Sequence, residues 1–165
     1  VGHMALLALQ SERLRAVPVA RLSPQDRDAL FEPEVVTYLP DGFQGLETDA
    51  ARCALLDGVQ QEAEVVALST RAGEAIGLLI LSHGAAGDRL RHLGYLFVRA
   101  AWGQGYASEM LRALQDLYRG QPVVLSGGVM ADNAASARVL QKNGFVPGVP
   151  NEAGEVTYTW DAERG

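Results

Sequence analysis

Cysteine is almost missing from this chain. Cys53 is the only one in 165 residues, so no internal disulfide can form, and no CxxC pair or Cys/His cluster with metal-ligand spacing occurs. Disulfide-stapled secreted scaffolds and structural zinc modules are thereby excluded, no metal is expected, and a reducing, cytoplasmic setting is the simplest expectation. Long apolar runs are missing too. No stretch approaches the ~20 consecutive apolar residues of a membrane span, and the N-terminus has no basic segment leading into a long apolar core, so neither membrane attachment nor secretion is expected. Positive charge is in deficit, with 14 Lys and Arg against 20 Asp and Glu and a formal net charge of −6. Bulk charge therefore gives no attraction for nucleic acid or an anionic membrane. Internal repeats and low-complexity tracts are absent as well.

What is present describes one ordinary globular domain. Hydrophobic residues make up 48% and charged residues 21%, and a chain of this length buries roughly 70% of its unfolded surface without a staple. Val1, Gly2 and His3 precede the first methionine, Met4, and resemble residues left by a cloning site, so the domain is expected over 4–165.

The element pattern is mixed. "LRAVPVA" (14–20) predicts a strand, and "SPQDRDALF" predicts a helix with Ser23 as N-cap and Pro24 at its first position. Residues 33–47, with two prolines and two glycines, read as a long loop of the kind that borders binding sites. From Thr48 a helix is expected with Ala51, Leu55 and Val59 on one face. Three short aliphatic runs follow at 65–71, 75–83 and 89–98, joined by "AGE" and "GAAGD" turns, and predict a strand meander. A helix with Ala107, Met110, Leu111, Leu114 and Leu117 on one stripe then runs to Gly120. A strand at 122–129, a helix at 132–145 and a strand at 154–160, alone or within a hairpin, complete an α+β order. The second of these helices has caps at both ends: Asp132 or Asn133 at its start, and Gly144 at its end with Phe145 placed to pack on Leu140.

The sharpest local feature is "VRAAWGQGYASEML" (98–111), in which Gly103 and Gly105 stand between a strand and a helix. Free backbone N–H groups and the positive end of a helix dipole make such a turn a phosphate site. The P-loop pattern is ruled out, because neither glycine is followed by Lys and then Ser or Thr. A dinucleotide fingerprint is matched at two of its three glycines, Ser108 standing at the third, which leaves a nucleotide-binding oxidoreductase as an alternative.

"GYLFVRAAWGQGYASEMLRAL", followed about thirty residues on by "ADNAASARVLQKNGF", resembles the GNAT acyltransferase superfamily, especially its ribosomal-protein N-terminal acetyltransferase branch. The resemblance is sharp over residues 93–145. It implies a single domain built on a mixed, mostly antiparallel sheet flanked by helices, with acetyl-CoA as cosubstrate. It further implies that amides around Gly103, Gln104, Gly105, Tyr106, Ala107 and Ser108 hold the diphosphate, that Phe97 and Val98 border the pantetheine arm, and that Asn133 bonds its amides. Trp102 stands where the family usually has Gln or Arg. Arg99, beside the loop, is the first of the arginines expected to reach a CoA phosphate.

For the reaction, the resemblance implies Ser136 as the proton donor to the leaving thiolate, since Leu140 occupies the position where many relatives carry a tyrosine. His92, in "RHLGY", stands where relatives often have a glutamate and is the candidate general base, histidine being a residue type suited to proton transfer near neutral pH. Glu47, Asp49 or a carboxylate of the 32–41 loop could act through water instead. The expected acceptor is a primary amine on a small molecule or a peptide N-terminus. Neutralising a lysine at pH 7 costs about 4 kcal/mol and an α-amine only about 1 to 1.5, so a weak base harms an α-amine acceptor less. A non-catalytic acyl-CoA-binding module is the other alternative. An exposed edge strand near the C-terminus is a candidate for pairing two copies.

Overall fold

A computed structural model describes residues 5–83 and 87–165. Residues 1–4, which include the three expected to come from a cloning site, and positions 84–86 of the expected turn lie outside the described residues. Strands β1 (Leu14–Pro18), β2 (Ala63–Thr70), β3 (Ala75–Ser82), β4 (Leu90–Phe97), β5 (Val124–Met130), β6 (Val146–Pro147) and β7 (Glu155–Asp161) form one sheet in the order β1-β2-β3-β4-β5-β7-β6. Helices α1 (Pro24–Leu30), α2 (Asp49–Glu62), α3 (Tyr106–Tyr118) and α4 (Ala134–Lys142) cover its two faces.

Connection length dictates strand direction. The tight turn between β2 and β3 returns the chain antiparallel, whereas α3 carries it from the end of β4 back to the start of β5, so this pair alone is parallel. One apolar cluster, including Leu93, Phe97, Met110, Leu111, Leu114, Leu125 and Leu140, lies between the sheet and α3 and α4. A second, including Leu30, Phe31, Val36, Phe43, Leu56, Leu78 and Leu96, lies under α1, α2 and the 33–47 segment. Strand β2 is buried on both faces, which explains its unbroken apolar run.

The helix ends follow their local chemistry. Ser23 and Asp26 form a reciprocal capping box on α1, and the Thr48 hydroxyl accepts from the Ala51 N–H at the start of α2. At the end of α4, Phe145 N–H donates to Leu140 O and Gly144 N–H to Gln141 O, with Gly144 at φ +85°. That is a Schellman closure, and it turns Phe145 back onto the helix it ends. One expectation needs correction. The buried face of α2 is centred on Leu56, with the expected Leu55 and Val59 packed beside it on the second apolar cluster and Ala51 outside that cluster. Of the two forms expected at the C-terminus, a lone strand or a hairpin, the chain takes the hairpin, since Val146 and Pro147 pair with Thr159 and Tyr158.

Candidate functional site

Strands β4 and β5 part. Their pairing ends at His92↔Ser126, yet β4 runs on to Phe97 beside β3, and β5 continues to Met130 beside β7. The His92 N–H donates to Ser82 Oγ and the Val98 N–H to Ile76 O, so the even-numbered amides of β4 point toward β3. By alternation, Tyr95 and Phe97 turn their N–H groups toward the gap that β5 has vacated. An open strand edge there accepts another extended, amide-bearing chain. Val98, expected to border the pantetheine arm, has its own N–H committed to β3.

The glycine loop sits at the wide end of the gap. Gly103 (φ +74°) and Gly105 (φ +80°) both adopt left-handed backbone, and Gly105 caps α3 with no side chain in the way. The first intrahelical bond runs from Glu109 N–H to Gly105 O, which leaves the N–H groups of Tyr106, Ala107 and Ser108 free of helix partners. Trp102 braces the corner through an indole N–H bond to Phe97 O at 2.8 Å, and Gln104 through its amide to Ala100 O at 2.7 Å. The Ser108 hydroxyl is already used, accepting from Arg112 and from Asn143, so Ser108 offers the loop only its backbone.

An acidic residue in this first turn would repel an anion, and the fold answers it from far along the chain. Glu109 accepts from the Ser11 hydroxyl, from the Arg13 N–H at 2.8 Å and from the Arg13 guanidinium at 2.7 Å. Burial pushes the Glu109 carboxyl up, but these bonds outweigh it and hold the group below the usual carboxylate range. The same guanidinium lies 4.3 Å from the centre of the Tyr106 ring, which in turn stacks on Phe97. Sequence spacing gives no hint of this cluster.

At the narrow end stands the first turn of α4. Asn133 is its N-cap, and its side-chain oxygen accepts from the Ser136 N–H at 3.4 Å. Tyr95 reaches from β4 toward the same turn. Its hydroxyl is buried, and it is the only such side-chain atom without a hydrogen-bond partner among the described residues. Burial raises its pKa; the neighbouring Ser136 hydroxyl opposes that rise without reaching bonding geometry.

The opposite face of the sheet carries a well. Gly94 and Gly128 stand two residues beyond the last β4–β5 pair, and both lie on the face away from α3 and α4. A β-carbon on Gly94 would meet nothing, whereas one on Gly128 would lie 2.7 Å from Glu155 Oε2. The missing side chain at 128 is thus what lets the Glu155 carboxylate lie over β5 beside the well. His92 is exposed on the same face, one alternation before Gly94. Sequence reading missed Glu155, for which only the strand alternation of 154–160 was available as a signal.

The 33–47 segment borders this face. Tyr38 brings its hydroxyl to 3.5 Å from Asp132 O, across to the start of α4. Arg99, the arginine expected to reach a CoA phosphate, pairs here with Glu34 Oε1 at 3.1 Å and Glu32 Oε2 at 3.7 Å, which ties this segment to the end of β4. Asp49 is occupied by a two-bond pair with Arg27, whose hydrogen bonds lower its pKa, so it is a structural carboxylate rather than a spare base. No group of His, Cys, Asp and Glu among the described residues could hold a metal ion, and no helix among them is long and apolar enough to cross a membrane.

A family model described as an acetyltransferase (GNAT) domain matches residues 17–146. A search of curated proteins gave no match. Among solved structures, an acetyltransferase from Agrobacterium tumefaciens is 25% identical, with a TM-score of 0.65 and 92% of each chain covered. A GNAT-family acetyltransferase from Bacillus anthracis is 19% identical, with a TM-score of 0.73 over 94% of this chain and 98% of the other. RimL, a ribosomal-protein α-N-acetyltransferase in complex with coenzyme A, is 18% identical, with a TM-score of 0.71 over 94% of this chain and 97% of its own. The open edge of β4 and the orphaned Tyr95 hydroxyl fit a long, amide-bearing arm, and the glycine turn fits the diphosphate that such an arm carries.

Proposed function

Because this chain belongs to the GNAT acetyltransferase family, it is an acetyl-CoA-dependent acyltransferase, and we propose that its acceptor is a primary amine, on a small molecule or a peptide N-terminus. The observation that carries this reading is the parting of β4 and β5 directly beneath the Gly94–Gly128 well.

When bound, acetyl-CoA supplies the activated acyl thioester. The amides of residues 103–108 bind the diphosphate end, with the α3 dipole adding to them and Arg13 cancelling the charge of Glu109. Tyr95 and Phe97 offer strand-edge N–H groups along the arm, Asn133 offers its amide, and the Phe97 ring walls the channel. Much of the acceleration comes from holding amine and acyl carbon together in one geometry. His92 accepts the amine proton as it is lost, and Ser136 delivers a proton to the departing sulfur. Glu155, beside the well, draws the acceptor in as its ammonium form. Net charge favours the same partner, because an acceptor that arrives as a cation meets a protein of −6.

The oxidoreductase alternative and the non-catalytic module both give way to the family match. The amine assignment is tested by titrating the protein with CoA, then screening amines and short peptides with acetyl-CoA for thiol release and a product mass increase. CoA binding with thiol release only for amines is expected. Release driven by hydroxyl acceptors alone would overturn it. In the same assay Ser136→Ala should lower kcat about 10- to 100-fold with CoA affinity unchanged; unaltered turnover would remove Ser136 as proton donor.

A further inference from the structure

Buried hydroxyls in folded proteins nearly always have a partner, and those that lack one mark places where something else is meant to sit. Tyr95 Oη is the one orphan of this kind among the described residues. Its position gives it meaning. Tyr95 belongs to the stretch of β4 that β5 has left, and its ring packs on the α3–α4 side against the same apolar cluster as Phe97. Its hydroxyl thereby reaches from one wall of the gap toward Ser136 on the other. Ser136 is close enough to affect its ionisation and still makes no bond to it.

We propose that the Tyr95 hydroxyl is a cofactor contact, donating its hydrogen bond to an acceptor atom of the acyl-CoA arm where that arm passes between β4 and the first turn of α4. This rests on the acetyl-CoA reading and adds to it a side chain that belongs to the arm alone. Two consequences set it apart from a packing role. In the free protein the hydroxyl is a burden, because it is dehydrated and unbonded. In the loaded protein it is a gain. A hydroxyl that served only the core would behave in the opposite way, stabilising the free protein and ignoring the ligand.

The test compares wild type with Tyr95→Phe by calorimetric titration and thermal unfolding, with CoA and with ADP, which carries a diphosphate but no arm. The variant should unfold at an equal or higher temperature without ligand, by about 2–8 °C where the full relief is felt. It should bind CoA about 10-fold more weakly and ADP within about 2-fold of wild type. Equal CoA affinity in the two proteins, a matching loss for ADP, or a lower unfolding temperature of the free variant would each overturn the assignment. A wild type that fails to bind CoA at all would strike instead at the cofactor reading beneath it, and the assignment would fall with it.

Discussion

Gly128→Ala isolates the Glu155 carboxylate without touching it. A β-carbon at this position would lie 2.7 Å from Glu155 Oε2 and 3.0 Å from its Cδ, so one of the two must move. The obstacle is the far end of a flexible side chain, and Gly128 does not need positive φ, so the carboxylate yields and the backbone stays. The unfolding temperature should change by no more than about 2 °C. At an effective dielectric of about 20, an ammonium about 4 Å from a carboxylate gains about 4 kcal/mol, and at about 7 Å about 2.4. The displacement therefore removes at most about 1.8 kcal/mol of attraction, about 20-fold, and solvent screening at this open site reduces it to roughly a 3- to 10-fold effect. Because the attraction acts on the bound amine before and during the reaction alike, it should appear as a higher KM for the amine with kcat little changed. The measurement is initial rate against amine concentration at low salt and again at about 0.5 M NaCl, where the difference should shrink. Glu155→Gln should reproduce the effect, and CoA affinity should stay put in both variants. Unchanged amine KM in both at low salt, or a loss that falls on CoA instead, would refute the role given to Glu155.

Gly105→Ala should act on the other end of the gap. Its φ of +80° is strained for alanine by about 1–2 kcal/mol, while the added carbon meets Arg13 Nη2 at an ordinary 3.6 Å. An unfolding temperature lowered by about 2–8 °C and weaker CoA binding are expected, and full retention of both would show that the left-handed turn is not needed. Glu109→Gln tests the Arg13 pairing through pH. The Glu109 pKa is depressed in the folded protein, so its stabilisation is present above the ordinary carboxylate pKa near 4.3 and is lost as pH falls through the lower folded value. Denaturant unfolding should therefore show the variant weaker than wild type near pH 7, with the difference closing in acid; a difference that persists or widens toward low pH contradicts the pairing.

How much of this was legible in the chain follows from the range of each signal. The residues between Tyr106 and Tyr118 announce their helix because turn-to-turn neighbours share a face, and the Asn133 and Gly144 ends of α4 are chemistry within five residues. The two glycines at 103 and 105 and the Asn133–Ser136 spacing likewise speak for themselves, and they carried the family resemblance that the domain match bore out. At Arg99 the sequence showed a cation beside an anion loop and could not show Glu34 and Glu32 arriving from another segment to pair with it.

By itself, then, the sequence determined the elements, their caps and the turn built for a phosphate, because those depend on neighbours a few residues apart. Only the tertiary structure decided which edge of β4 is left open, that Arg13 meets Glu109 across 96 residues, that Glu155 lies over Gly128, and that Tyr95 keeps an unanswered hydroxyl. The Arg13–Glu109 contact depends on how the chain before β1 meets α3, and the others depend on strand register, where a slip of one residue would turn Tyr95 and Glu155 to the opposite face.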